Sequence, residues 1–258
     1  MHLPAAGEQA LVARLRAAGC VFAEDEAGVL LASAGSDAEL AAMTAAREAG
    51  VPLEHVVGWA EFCGLRVSVE PGVFVPRRRS ELLVREALRG SARRVLDLCC
   101  GCGAIGLAIV TGSAGELHAV DLDPAAVGCA ARNLAAVGGT TYTGDLYAPL
   151  PAALRGQFDV VVANAPYVPS DAIVFMPPEA RLHEARVALD GGADGLAVQR
   201  RVIAAAPGWL RPGGRLLVET SSEQAPLTGR AMREAGLAVE IVADEQLAAT
   251  AAVGVRAA

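Results

Sequence analysis

The chain is poor in aromatic residues: Trp, Tyr and Phe together make up 4% of its 258 positions, against a hydrophobic share of 53%. A core assembled from that composition must rest on Ala, Val and Leu. Long apolar runs are missing as well. No stretch approaches the ~20 residues a bilayer-crossing helix needs, and "MHLPAAGEQALVARLRAAG" lacks the charged-then-apolar order of a secretory signal. A cytoplasmic protein without membrane contact is expected. The four histidines are scattered and no second CxxC accompanies the first, so a zinc ligand set is lacking and no metal is expected. Three of the six cysteines (Cys20, Cys63, Cys99, Cys100, Cys102, Cys129) crowd into "CCGC", where neighbours make poor disulfide partners. They read as reduced, small apolar residues. Positive charge is also short: the net charge of −7 and pI near 5.2 argue against direct nucleic acid binding, which draws its affinity from neutralised phosphates. The run Arg77 to Arg79 is a local exception, either a solvated loop or a substrate-facing one.

What is present is rhythm. Helical spacing runs through "EQALVARLRAAG" to Gly19, and through "SDAELAAMTAAREAG" from a Ser36/Asp37 cap to Gly50; "GVLLAS" between them is too short to classify. "LRVSVEPGVFVP" alternates and holds Pro71-Gly72, so it reads as a hairpin turning there. From Arg93 the chain alternates strand and helix: "RRVLDLC", "GAIGLAIVTG", "ELHAVDLD", "PAAVGCAARNLAAVG", "TTYTGDL", "FDVVVANA", "DGLAVQRRVIAAAPGWL", "GRLLVETS" and "EQAPLTGRAMREAG". "LAVEIVAD" and "TAAVGVRA" follow with no room for a helix between them. The expectation is an α/β, Rossmann-like fold: a mainly parallel seven-stranded sheet with a terminal antiparallel hairpin. Residues 1–55 are expected as a helical substrate-side domain, 56–80 as a linker hairpin and 81–258 as the catalytic domain.

"DLCCGCGAIG" carries GxGxxG (Gly101, Gly103, Gly106) between strand and helix, and Asp121 ends the next strand where an acid would accept from ribose hydroxyls. Alone this specifies a nucleoside-like ligand and does not separate NAD from S-adenosylmethionine. Three features favour the latter. Asp97 stands inside the first strand, as suits a cationic ligand. Asp145 in "GDLY" ends the third strand, where it can accept from an adenine amine. The closing antiparallel hairpin is the third. Asp123, before Pro124, reads as a helix cap.

The motifs "VLDLCCGCGAIG", "VDLDP", "GDLY" and "NAPY", in this order, resemble class I S-adenosylmethionine-dependent methyltransferases. More narrowly they resemble the HemK-type protein-(glutamine-N5) methyltransferases that modify peptide chain release factors. The likeness extends to "PLEHVVGWAEFCGLRVSV", to "VFVPRRRSELLV" and to "LDGGADGLAVQRRVIAAAPGWLRPGGRLLVE". It implies S-adenosylmethionine as cofactor, S-adenosylhomocysteine as product, and a protein substrate such as a release factor. It implies cofactor contacts from Asp97, Cys99, Cys100, Gly101, Cys102, Gly103, Asp121, Leu122, Asp145, Leu146 and Asn164.

Within the resemblance, Asn164, Ala165, Pro166 and Tyr167 carry the chemistry. An amide nitrogen is a poor nucleophile because its lone pair is delocalised. The Asn164 side-chain oxygen and the Ala165 carbonyl can accept its two protons and fix its aim. Two positions depart from the family pattern. Ala165 replaces a proline yet keeps the carbonyl and still precedes Pro166, which confines it to extended dihedrals. Cys99 replaces a loop glycine. Arg77 and Glu81 are expected to cap a helix, and His183-Glu184 to be an exposed pair. Other acceptors share the geometry: a base amine in nucleic acid, or a small-molecule amine. A catalytically silent cofactor-binding scaffold is the reading from a different class.

Overall fold

The computed structural model describes residues 5–258. Four helices come first: α1 (Ala5–Ala17), α2 (Ala23–Ser33), α3 (Asp37–Glu48) and the short α4 (Leu53–Val57). Leu11, Leu15, Ala27, Leu30 and Leu40 form an apolar cluster of their own, with Leu53, Val56 and Val57 packed against it. The unclassified "GVLLAS" is the second half of α2. Ser36 caps α3 by accepting from the Glu39 N–H at 3.2 Å.

A hairpin follows, but not where the sequence put its turn. Strands β1 (Trp59–Phe62) and β2 (Leu65–Ser68) pair antiparallel around Cys63-Gly64, both with positive φ. That combination suits a tight two-residue turn. Pro71-Gly72 instead begins an extended segment, residues 72–77, that ends at α5 (Glu81–Ala87).

The remaining strands are β3 (Arg94–Leu98), β4 (Glu116–Asp121), β5 (Thr140–Thr143), β6 (Phe158–Ala163), β7 (Leu210–Thr220), β8 (Leu237–Asp244) and β9 (Ala249–Arg256). They form one sheet in the order β5-β4-β3-β6-β7-β9-β8, parallel except for β9, which runs against both neighbours. Helices α6 (Ala104–Ser113), α7 (Pro124–Leu134), α8 (Pro178–His183), α9 (Ala197–Ala205) and α10 (Ala225–Glu234) complete the fold. The expected seven-stranded, mainly parallel sheet and its antiparallel hairpin are present.

Strand alternation divides the core. Val95, Val160, Val162 and Leu217 pack with α5, α6 and α7 on one face, whereas Leu96, Leu98, Val161, Ala163 and Val218 pack with α9 and α10 on the other. Asp97 shares the parity of Val95. Asn164 continues the parity of Val160 and Val162, and Glu219 that of Leu217. Val162 pairs with Leu217 and Ala163 with Val218, so one step further along the ladder sets Asn164 beside Glu219. Both aim at the face where α5 begins.

Candidate functional site

The carboxyl ends of β3, β4, β5 and β6 open on one pocket, at the point where strand order reverses about β3. Its lining includes Cys99, Cys100, Gly101 and Cys102 after β3, Asp121 and Leu122 after β4, Asp145 and Leu146 after β5, and Asn164 through Tyr167 after β6. Two expected residues are not on the wall. Gly103 lies beneath it with φ +78°, where an added Cβ would meet Ala130 and Leu134 at 3.3 Å; it serves the turn into α6. Asp97 is buried below the loop.

The acids differ in state. Asp97 Oδ2 accepts from the Gly106 N–H at 2.9 Å, while its buried Oδ1 has no partner among the described residues. Burial pushes this carboxyl up to about 7, against the Gly106 hydrogen bond. Asp121 receives the Gly101 N–H at 2.8 Å and the Asp123 N–H at 3.0 Å, and burial raises it too. Each of its oxygens keeps a free lone pair for a ligand. Asp145 is exposed and paired with Arg201 at 2.5 Å, so a ligand amine would compete with that guanidinium. Asp123 is the α7 cap, accepting from Ala125.

The loop cysteines are neutral thiols, all raised by burial, Cys102 to about 12. Cys99 adopts φ +55°, a left-handed conformation that costs a non-glycine residue ~1 kcal/mol. Cys63 departs from the expected apolar burial, being exposed in its turn.

Asn164 is half-buried. Its Nδ2 donates to Ser80 Oγ at 3.2 Å, and its Oδ1 takes no hydrogen bond from the described residues. Ser80 Oγ donates to Glu219 Oε2 at 2.5 Å. Glu219 Oε1 accepts from Arg79 Nε at 3.1 Å and from the Tyr167 hydroxyl at 3.2 Å. Arg79 also lies over the Tyr167 ring, 5.9 Å from its centroid. Burial first, with the nearby Glu219 charge, pushes the Tyr167 phenol up to about 12. Ala165 is fully buried and belongs to the lining segment 164–167.

The Methyltransferase small domain family matches residues 64–194. A release factor glutamine methyltransferase of Geobacter sulfurreducens is 40% identical over 195 residues, spanning 72% of this chain and 68% of that protein. The chain belongs to the release factor glutamine methyltransferase family. A relative of the same description from Mycolicibacterium smegmatis is 37% identical over 210 residues, 80% of this chain and 74% of that one. A methyltransferase structure from Pyrococcus furiosus matches at a TM-score of 0.58 and 15% identity, covering 76% of this chain and 90% of that one, which shows the shared fold.

The pocket's residues fit the adenosyl-type cofactor that a methyltransferase family implies. The buried, unpartnered Asp97 oxygen suits a cationic ligand, and a Cβ on Gly101 would find nothing nearer than Phe74 at 3.9 Å, so the backbone there is open to close approach. Several residues of this methyltransferase site escaped the sequence reading. Ser80 directly precedes α5 and makes no cap bond there. Arg77 does not cap either: it pairs with Glu184 at 2.5 Å. Glu184 is 6% exposed, which corrects the expected exposed pair. Its Oε1 also accepts the Val75 N–H at 3.2 Å, and burial raises its carboxyl against the Arg77 charge. His55 meets the Val73 carbonyl at 2.8 Å. These contacts fix residues 72–77, of which Gly72, Val73, Phe74 and Pro76 line the pocket. Their only signal in sequence was polar residues in apolar surroundings. No helix among the described residues is long and apolar enough to cross a membrane.

Proposed function

We propose that this chain transfers a methyl group from S-adenosylmethionine to the side-chain nitrogen of a glutamine in a peptide chain release factor. Bound in the pocket, S-adenosylmethionine supplies a methyl on a positively charged sulfur, a strong electrophile. The protein's part is then to hold a weak nucleophile in line. The Asn164 oxygen and the Ala165 carbonyl accept the two amide protons, orienting the nitrogen and favouring a lone pair localised on it. Prior fixing of reactants of this kind is worth several kcal/mol, and aligned dipoles facing the developing positive nitrogen add to that. Tyr167 flanks the amide, and as the methyl leaves sulfur as a neutral thioether the methylated nitrogen gives up one proton to water. Asp121 and the Gly101 backbone serve the ribose and the amino-acid portion, and Leu122 and Leu146 the adenine faces; Asp97, buried beneath the glycine loop, favours a cationic ligand through its field rather than by contact.

The observation that carries this reading is Asn164 itself: its nitrogen is occupied by Ser80 while its oxygen is unpaired beside the pocket. The activity for which these relatives are named supplies the acceptor. Residues 1–55 are proposed to face that protein substrate, with 56–80 as linker and 81–258 as the catalytic unit.

The test uses methyl-labelled S-adenosylmethionine with purified unmethylated release factor, and separately with RNA and DNA. One methyl on a glutamine-containing peptide is the expected product; transfer to nucleic acid alone would overturn the assignment. Asn164→Ala should lower kcat by about 100-fold or more while cofactor affinity, read by calorimetry, stays within several-fold. A variant unable to bind cofactor would mean Asn164 holds the ligand rather than the amide.

A further inference from the structure

A carboxamide presents nearly the same shape after its two ends are exchanged, so something must decide which end of Asn164 faces the pocket. We propose that Glu219, acting through Ser80, is the positioning residue that turns the Asn164 oxygen toward the substrate. This rests on the reading of Asn164 as acceptor for the substrate amide.

The supply of protons in this chain of groups decides the orientation. An ionised carboxylate can only accept, and a serine hydroxyl has a single proton to give. Glu219 Oε2 lies 2.5 Å from Ser80 Oγ and accepts the hydrogen bond that this proton makes. Ser80 Oγ can then only accept from its other neighbour, so Asn164 must present its N–H2 there, at 3.2 Å. The carboxamide oxygen is left pointing away from Ser80. Glu219 is 2% exposed and its other oxygen is held by Arg79 and Tyr167, so the carboxylate cannot turn out to solvent. Ser80 is free for this role because its hydroxyl makes no cap bond at α5. The same carboxylate holds Tyr167 by its hydroxyl, and Gln224 Nε2 holds the Tyr167 carbonyl at 3.0 Å. Glu219 therefore reaches both ends of the tetrapeptide, one directly and one through the serine.

Glu219→Gln reverses the chain. The new amide donates to Ser80 Oγ, the serine proton turns to Asn164, and the Asn164 N–H2 swings into the pocket. The experiment compares Glu219→Gln, Ser80→Ala, Ser80→Thr and the double variant Ser80→Ala/Glu219→Gln with release factor as substrate. Glu219→Gln should lose about 100-fold in kcat, with KM for release factor and calorimetric affinity for S-adenosylhomocysteine nearly unchanged. Ser80→Ala, which removes the instruction without reversing it, should lose about tenfold, and Ser80→Thr less than that. The deciding result is the double variant: Ser80→Ala should rescue Glu219→Gln to the level of Ser80→Ala alone. A purely structural glutamate would give a double variant no better than Glu219→Gln, which overturns the proposal, as does Glu219→Gln at wild-type kcat. Should Glu219→Gln fail to fold, equal kcat for Ser80→Ala and Ser80→Thr overturns it instead.

A second readout needs no turnover. The side-chain amide NMR signal of Asn164, identified by its loss in Asn164→Ala, should shift in Ser80→Ala and in Glu219→Gln. If the wild-type chain leaves release factor unmethylated, the functional reading fails, while this signal still decides the positioning role.

Discussion

Asp97 brings a carboxyl into the sheet with one oxygen bonded to Gly106 and the other without a partner among the described residues. Its ordinary value of 3.8 is pushed up to about 7. Below about pH 4 the acid is protonated in both folded and unfolded chains. Between about 4 and 7 the unfolded chain releases its proton and the folded chain keeps it, so stability falls as pH rises, by about 4 kcal/mol in all. Above pH 7 this contribution is flat. Asp97→Asn keeps an acceptor for Gly106 and should flatten the slope, gaining on the wild type at pH 8; urea midpoints across pH check it, and parallel profiles would remove Asp97 as the cause. Ala165 is the second residue-scale case. Its N–H makes no hydrogen bond with the described residues, so Ala165→Pro removes none and should leave the melting temperature within a few degrees. Asn164, Asp121 and Gly101 were legible because each sits in a motif whose spacing carries its chemistry. Ser80 and Glu219 were not: "RRRSE" reads as a helix start and "LLVETS" as an ordinary strand. The pairing of β6 with β7 sets Glu219 beside Asn164, and the packing of α5 against β7 brings Ser80 to both.

At the scale of elements, the α3 helix is tied to α8 through Arg47, whose side chain is 7% exposed. It pairs with Glu26 of α2 at 2.6 Å and Glu179 of α8 at 2.7 Å. Removing one partner of a buried pair leaves the other charge without compensation. Arg47→Ala should therefore cost about 3 kcal/mol in urea unfolding, since Glu26 stays buried. Earlier proteolytic cleavage within residues 20–52 should accompany it; an unchanged midpoint would mean water reaches Glu26. Helices and strands after Arg93 were legible from period alone. The hairpin turn was misplaced because Pro71-Gly72 is a strong turn signal, while Cys63-Gly64 needs a cysteine at φ +50°, which composition does not announce. Glu184 was read as exposed for a related reason: its burial depends on Arg77, which is 107 positions away.

Across the whole molecule, alternating β and α segments fixed a parallel sheet, and the absence of a helix between the last two strands fixed the antiparallel closure. Strand order was not written locally, because the sheet is entered at β3 and filled outward in both directions. All 22 basic residues are arginine, so every Lys/Arg-type ion pair on this surface is guanidinium to carboxylate. A chain stopped after Asp244 should bind no S-adenosylhomocysteine in calorimetry, because β7 and β8 are joined only through β9. Cofactor binding by that shorter chain would mean that strands β3 to β7 suffice.

The interior seat of β9 bears on timing during synthesis. The ribosome makes β8 before β9, yet β8, though packed on α10, has no strand to pair with until β9 has slipped between it and β7. Glu219 stands opposite Ala251 on that late-arriving strand. A nascent chain therefore carries the entire glycine loop and tetrapeptide outside the exit tunnel for some time before the edge beside Glu219 is sealed, and activity should switch on abruptly, with the emergence of residues 249–256.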